Sequence, residues 1–479
     1  MHKAAIAAGS LIVLLLGAPW VAGALTQRQF VADVARIESA ERFHVEVVDY
    51  DRGWTTTTAR VAVGLSPSQL AAIEGAVADL EERPAAIDRL HETIPLRVTM
   101  RHGPVVLGAE PGVGIMATTI VIDPEAQGLA ELTQELGVEQ LFELNARTSF
   151  GGVSDYVAAI PALELARDDL DLTYSGLRVA GSYDGPSRHL TSAAEPSSLS
   201  VRTPGSSFAM ENFEFSSDTT RFNPHFWLGT SQGSADRVMA RNEIQQQGAE
   251  ATRLAARFDV TLDEAGEHLS LAADYSADGL SAGEALAVSD IVLAMAVSGL
   301  EVQALTEYVE LSQGVGTQAD AAAPVQLALE DIVYRLLQGS PVIDVSALRF
   351  LVDDEPVDAS LRIAVDGPGL PPRPVFTVMN PLLFASLVSI DATLALSEPL
   401  ATWVATQGMM YQLQRSAAAN GEPIPETDLE AMAQLQAGVV LAGLVAQGML
   451  DSTDAGYAAQ ARFAGGELTL NGTPVPLGF

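Results

Sequence analysis

Three short stretches hold the side chains with the widest chemical reach. In His102-Gly103-Pro104 an imidazole sits beside a Gly-Pro turn. It can serve there as a base or pH sensor near neutrality. Equally, its ring can satisfy backbone groups freed where Pro104 has no N–H to donate. In Tyr50-Asp51-Arg52-Gly53-Trp54 an arginine lies between two aromatics. Its fork suits a carboxylate or a lipid phosphate; it can also stack on Tyr50 or Trp54, or pair with Asp49 or Asp51. Asp168, Asp169 and Asp171 place three carboxylates close together. They lack the glycine and the glutamate that complete a calcium-binding loop. They read as a solvated acidic edge that keeps strands from pairing with other chains.

Organised catalytic patterns are missing. His2, His44, His91, His102, His189, His225 and His268 show no metal-ligand spacing, and no nucleophile elbow, Walker loop or dinucleotide fingerprint occurs. Gly112-Val113-Gly114 is a fragment whose glycines suit a bulge or bend. The chain has no cysteine, which removes disulfides, thiolate metal sites and cysteine nucleophiles. These observations assign no catalytic, cofactor-binding or metal residue, and the expectation is a protein that is not an enzyme. The competing reading is a hydrolase that uses carboxylates with His102, which requires His102 within reach of an Asp or Glu in a concave pocket.

The elements that would position these groups must come from a chain of 479 residues with 48% hydrophobic content, enough for substantial cores. The net charge of −35 repels nucleic acid and anionic headgroups, so no nucleic-acid partner is expected. Lys3 is the single lysine. An acidic, lysine-poor surface fits high external salt, and compositional drift in an Ala- and Arg-rich genome fits equally well.

Met1-His2-Lys3 precedes an uncharged, strongly apolar run over 4–25. The run is long enough to span a bilayer, and Ala22-Gly23-Ala24 also resembles a signal-peptidase site. Either way the leading positive charge exports the remainder of the chain, as a body tethered to the inner membrane or released from it. The apolar stretch from Ala437 to Leu450 is shorter and reads as a buried helix.

Alternating runs around Asp51-Arg52-Gly53 predict a hairpin: Phe43, Val45 and Val47 share one parity, as do Ala59, Val61, Val63 and Leu65. Helical spacing predicts helices over 67–90, 325–337, 400–419 and 426–450. Strands are expected at 96–100, 116–122, 170–183, 252–275, 342–352, 359–365 and 383–396. The Ser/Thr/Pro/Gly-rich stretch 191–207 reads as a loop. The aromatics from Phe208 to Trp227 are expected to fill a sheet core. The organisation is a signal or anchor at 1–25, an α+β region at 26–190, the loop, a β-rich region at 208–370 and an α+β region at 371–479. The fold class is α+β: large, mostly antiparallel curved sheets with covering helices, elongated rather than a barrel.

At these positions the chain resembles the YdgA-like family of bacterial envelope proteins, a domain of unknown function (DUF945). The likeness rests on the apolar amino terminus, the Tyr50-to-Trp54 turn and His102-Gly103-Pro104. It continues through Thr148-Ser149-Phe150-Gly151-Gly152 and the closing Gly466-to-Pro474 segment with its Asn471-Gly472 turn. Asp354-Glu355-Pro356 departs from it, standing where a glycine turn is expected. The resemblance implies an inner-membrane-anchored or periplasmic protein and supplies no catalytic residues. The expected role is therefore binding: to another envelope protein, to a second copy, or to a lipid. Lipid handling would show as an apolar channel continuous over many strands, and a tightly filled interior would count against it.

Overall fold

The structure is a computed structural model that describes residues 43–67, 69–70, 73, 91–103, 105–106, 112–125, 129–167, 169–242, 247–283, 286–314, 322–372, 385–420 and 426–476. Two compact units divide the chain. The first takes Met1–Pro204 with Phe208–Trp227, and the second takes Gly205–Ser207 with Leu228–Phe479. The apolar run at 4–25, Pro104, Asp168 and nearly all of the helix expected over 67–90 lie outside the described residues.

The first unit is built on β1 (Phe43–Arg52), β2 (Thr56–Leu65), β3 (Ile94–His102), the short β4 (Val105–Val106) and β5 (Gly112–Val113), β6 (Met116–Ile122), helix α1 (Leu129–Leu136), β7 (Glu143–Thr148), β8 (Val153–Ile160), β9 (Leu163–Arg167), β10 (Leu170–Tyr174), β11 (Leu177–Asp184), β12 (His189–Thr203) and most of β13 (Ser206–Arg221). Its ladder is an antiparallel meander in the order β1, β2, β3, β6, β7, β8.

The hairpin expected around Asp51-Arg52-Gly53 is β1 and β2. Val45, Ala59 and Val61 turn inward and pack with Val98 and Met100 as a buried cluster. A β-bulge between Val47 and Asp49 leaves Val48 exposed and shifts the parity, so Tyr50 lies opposite Ala59 and joins the inner face. The pattern of alternation alone does not show this shift.

Beyond β7 the strands break in register. β8 and β9 are halves of one strand interrupted at Pro161, and they pair with β11 and β10, interrupted at Gly176. Gly176 has φ +92°, and a Cβ there would meet the Ile160 carbonyl oxygen at 2.9 Å. β12 crosses both halves, pairing with β11 before Pro196 and with β10 after it. The expected loop at 191–207 is therefore mostly strand, contrary to its composition. Pro196 is tolerated within the strand because it falls where the ladder changes partner. The aromatics of β13 and its neighbourhood do not fill a core: Phe208, Phe215 and Phe222 are each more than one-third exposed. Asn212 interrupts their alternation at φ +51°.

The second unit carries β14 (Trp227–Asn242), β15 (Gln247–Leu262), β16 (His268–Ala282), β17 (Leu286–Glu301), α2 (Val302–Gly314), α3 (Ala322–Gln338), β18 (Val342–Val352), β19 (Glu355–Val365), β20 (Val388–Leu396), α4 (Glu398–Asn420), α5 (Glu426–Ala446), β21 (Asp451–Thr453), β22 (Gly456–Ala464), β23 (Glu467–Leu470) and β24 (Thr473–Val475). The strands from β14 to β20 pair in sequence and antiparallel, then β20 pairs with β22, β22 with β23, and β23 with β24. The fold is thus mostly antiparallel sheet with added helices, as the sequence predicts.

Turn chemistry sets the hairpins. Asn471 and Gly472 take φ +46° and +79° and close a two-residue turn between Leu470 and Thr473. The Asn471 Oδ1 also accepts the Gln460 N–H at 2.6 Å. Asp353 and Asp354 adopt φ +51° and +69°, so two aspartates hold the geometry for which glycine was expected. Pro474 lies on β24, opposite Thr469.

The helices pair in two hairpins: α2 packs with α3, and both touch β17; α4 packs with α5 and touches β19 and β22. Leu429, Ala433, Ala437 and Leu441 form the buried stripe of α5 at four-residue spacing. The span 437–450 is only partly the buried helix expected, since Val439 and Val440 are 69% and 38% exposed.

Candidate functional site

Backbone hydrogen bonds in the first unit tie the motif turns near the amino terminus to one another. The His102 N–H donates to the Thr55 carbonyl at 2.7 Å, and the Gly53 N–H donates to the Thr56 carbonyl at 2.8 Å. The Gly103 N–H donates to the Ile115 carbonyl at 3.2 Å, and the Ile115 N–H to the Thr148 carbonyl at 2.9 Å. Turns far apart in sequence are thereby stitched together. A Cβ on Gly53 would stand 2.5 Å from the Thr56 carbonyl oxygen, which explains the glycine.

The His102 side chain points into this unit and is 4% exposed. Its Nε2 and the Thr57 Oγ1 share a hydrogen bond of 2.8 Å, and Thr57 is itself fully buried. Among the described residues the Nδ1 has no hydrogen-bond partner. Burial lowers the His102 pKa, and the Arg52 guanidinium lowers it further, so the ring is held neutral at pH 7. Burial raises the Tyr50 pKa, opposed by the Thr57 hydroxyl and the Arg52 charge. Arg52 thus lies close enough to act on both rings. Trp54, by contrast, is exposed. Arg221 makes a cation–π contact, 5.9 Å from the centre of the Trp227 ring. Asn471 and Gly472 belong to the second unit and form the turn already described.

Two other histidines meet carboxylates, which spacing did not reveal. His189 Nε2 lies 2.6 Å from Asp218, and His268 Nδ1 lies 2.9 Å from Asp263. Asp263 also accepts the N–H groups of Glu267 and His268, at 2.8 and 3.2 Å. The His268 and backbone hydrogen bonds hold its carboxyl at about 2. This is a loop-closing arrangement between β15 and β16. Among the described residues no group of three or more His, Asp or Glu is placed to hold a metal ion.

One face of the second unit's sheet is chemically uniform along several rows. Directly opposed residues of antiparallel strands share a face, so register defines rows across the sheet. Val260 opposes Leu271, which opposes Val297. Val297 opposes Ile343, and Ile343 opposes Ile363. Ile363 opposes Ile390, Ile390 opposes Phe463, and Phe463 opposes Leu468. A second apolar row two residues away contains Phe258, Met295, Val345 and Leu361. A third contains Tyr275, Leu293, Leu348 and Leu394.

Not one side chain in these rows is fully buried, and Phe258, Leu271, Tyr275, Ile343 and Leu394 are between 37% and 43% exposed. Phe258 and Tyr275 meet edge to face with centroids 5.6 Å apart. The opposite face is charged: Arg362 reaches Asp344 at 2.9 Å, Arg462 reaches Asp391 at 3.6 Å and Arg257 reaches Asp259 at 2.7 Å. One side of this sheet is therefore solvated, and the other is apolar: half covered along these rows and closed beside them, where Leu269 and Val357 are buried.

A sheet-rich protein with an open row of apolar side chains is the class these features define. The chain belongs to the family described as bacterial protein of unknown function (DUF945), whose profile matches residues 1–478. No curated protein and no solved structure matches it.

Proposed function

We propose that this protein is a non-enzymatic component of the cell envelope that holds a lipid acyl chain along the apolar face of its second unit. The carrying observation is the set of three apolar rows, the longest continuous from β15 to β23, in which every large side chain remains partly exposed. A contiguous apolar surface of this kind marks an interaction site rather than a core. Each methylene buried there contributes about 0.8 kcal/mol, so ten of them supply roughly 8 kcal/mol before ordering costs. The extracytoplasmic setting is supported by the charged-then-apolar amino terminus.

The hydrolase alternative is less well supported, because the His102 ring hydrogen-bonds a hydroxyl and lies in the field of the Arg52 charge, where that reaction needs a carboxylate. Homotypic association or capture of another envelope protein would use the same open face.

Native mass spectrometry of the full chain, purified from membranes, tests the proposal. Bound species with acyl-chain masses are expected, and they should be lost in the double variant Ile343→Asp with Leu394→Asp. A wild-type protein that carries no lipid and takes up no added fatty acid would overturn it.

A further inference from the structure

The α4–α5 hairpin presents a second apolar surface, on helices rather than strands. α5 is long and apolar enough to cross a bilayer, yet only 22% of its apolar window is buried. Its buried stripe is used against α4, while Met432, Leu435 and Val439 emerge on other sides. Trp403 and Tyr411 are exposed on α4. A helix apolar all round is ordinarily enclosed by protein or by lipid.

The charge pattern selects the occupant. From Ala431 to Leu450, and again from Pro399 to Gln414, there is no Asp, Glu, Lys or Arg, in a chain of net charge −35. A second copy would bring the same acidic body alongside and be opposed by its charge. A bilayer of neutral headgroups carries no such penalty. Exposed Trp and Tyr, each with an apolar ring and a polar tip, suit the boundary between headgroups and acyl chains. We infer that the outer face of the α4–α5 hairpin docks on a neutral lipid bilayer, lying in the interfacial layer while its inner stripe stays packed on α4. α4 also touches β19 and β22, two of the strands that carry the apolar rows; the inference extends that reading without requiring it.

The absence of native cysteine makes a single introduced one unique. The full-length variants Leu435→Cys and, as a control on α3, Leu327→Cys are labelled with an environment-sensitive fluorophore and mixed with phosphatidylcholine vesicles. Leu327 is 68% exposed, so both sites accept a probe. The expected result is a blue shift and at least a twofold quenching by brominated lipid at 435 and neither at 327. Adding phosphatidylglycerol at low salt should weaken the effect. A probe at 435 that stays in water with vesicles bound through other parts of the chain overturns the inference. A blue shift that needs no lipid and grows with protein concentration also overturns it, in favour of a second copy. The acyl-chain reading is judged separately, by the loss of bound lipid in Ile343→Asp with Leu394→Asp.

Discussion

Thr57 Oγ1 and His102 Nε2 lie 2.8 Å apart across β2 and β3, and both side chains are buried. Because the native ring has a lowered pKa, the unfolded chain takes up the proton first as pH falls. Stability from this group is complete above the unfolded value of about 6.5 and declines below it. Urea midpoints should drop between pH 7 and pH 5. In His102→Asn that slope should be shallower; an unchanged slope would assign the pH dependence to other groups.

The same pair predicts a graded response at Thr57. Thr57→Val keeps the side-chain shape and leaves the buried imidazole without its hydroxyl, costing about 1–3 kcal/mol. Thr57→Ser retains the hydroxyl and should cost less. Equal losses in the two variants, by calorimetry or urea denaturation, would locate the effect in packing alone.

Asp353 and Asp354 occupy left-handed backbone positions that glycine takes without steric cost. Asp354→Gly should stabilise the β18–β19 hairpin by up to about 1 kcal/mol, seen as a higher Tm. A lower Tm would mean that the Asp354 carboxylate contributes more than its conformation costs.

Gly456 has φ +137°, and a Cβ there would stand 2.2 Å from the Leu396 carbonyl oxygen and 2.7 Å from the Glu398 nitrogen. Both are backbone atoms where β20 gives way to α4. Gly456→Ala should cost about 1–3 kcal/mol from conformation alone, with the clash in addition. Gly408 has open space around it and is the control only for the clash, since its helical setting favours alanine.

Much of this fold was legible in the sequence because alternation and turn residues act locally. Asn471-Gly472 announced its turn, and the strand pair around Asp353 was placed correctly. What could not be read was register. The bulge at Val48, which brings Tyr50 inward, depends on the facing strand and leaves no mark in composition. Pro196 misled for the same reason: a proline is excluded from a continuous ladder, and only the partner strands show that the ladder changes hands there. The apolar rows are also products of register, since Ile343 and Phe463 come together across three strand pairings. For His102, read both as a base and as a ring that satisfies freed backbone groups, the hydrogen-bond partner is instead the Thr57 hydroxyl, 45 residues away.

Pro474 settles how this sheet stops. In a two-residue hairpin the closing pair, here Leu470 and Thr473, exchanges hydrogen bonds, so the backbone groups of the next pair face outward. Position 474 is where β24 would offer its first outward N–H, and proline has none. An incoming strand from a neighbouring molecule finds no donor at that step. Pro474 therefore works as a stop against strand addition, removing one donor from the outer edge of β24.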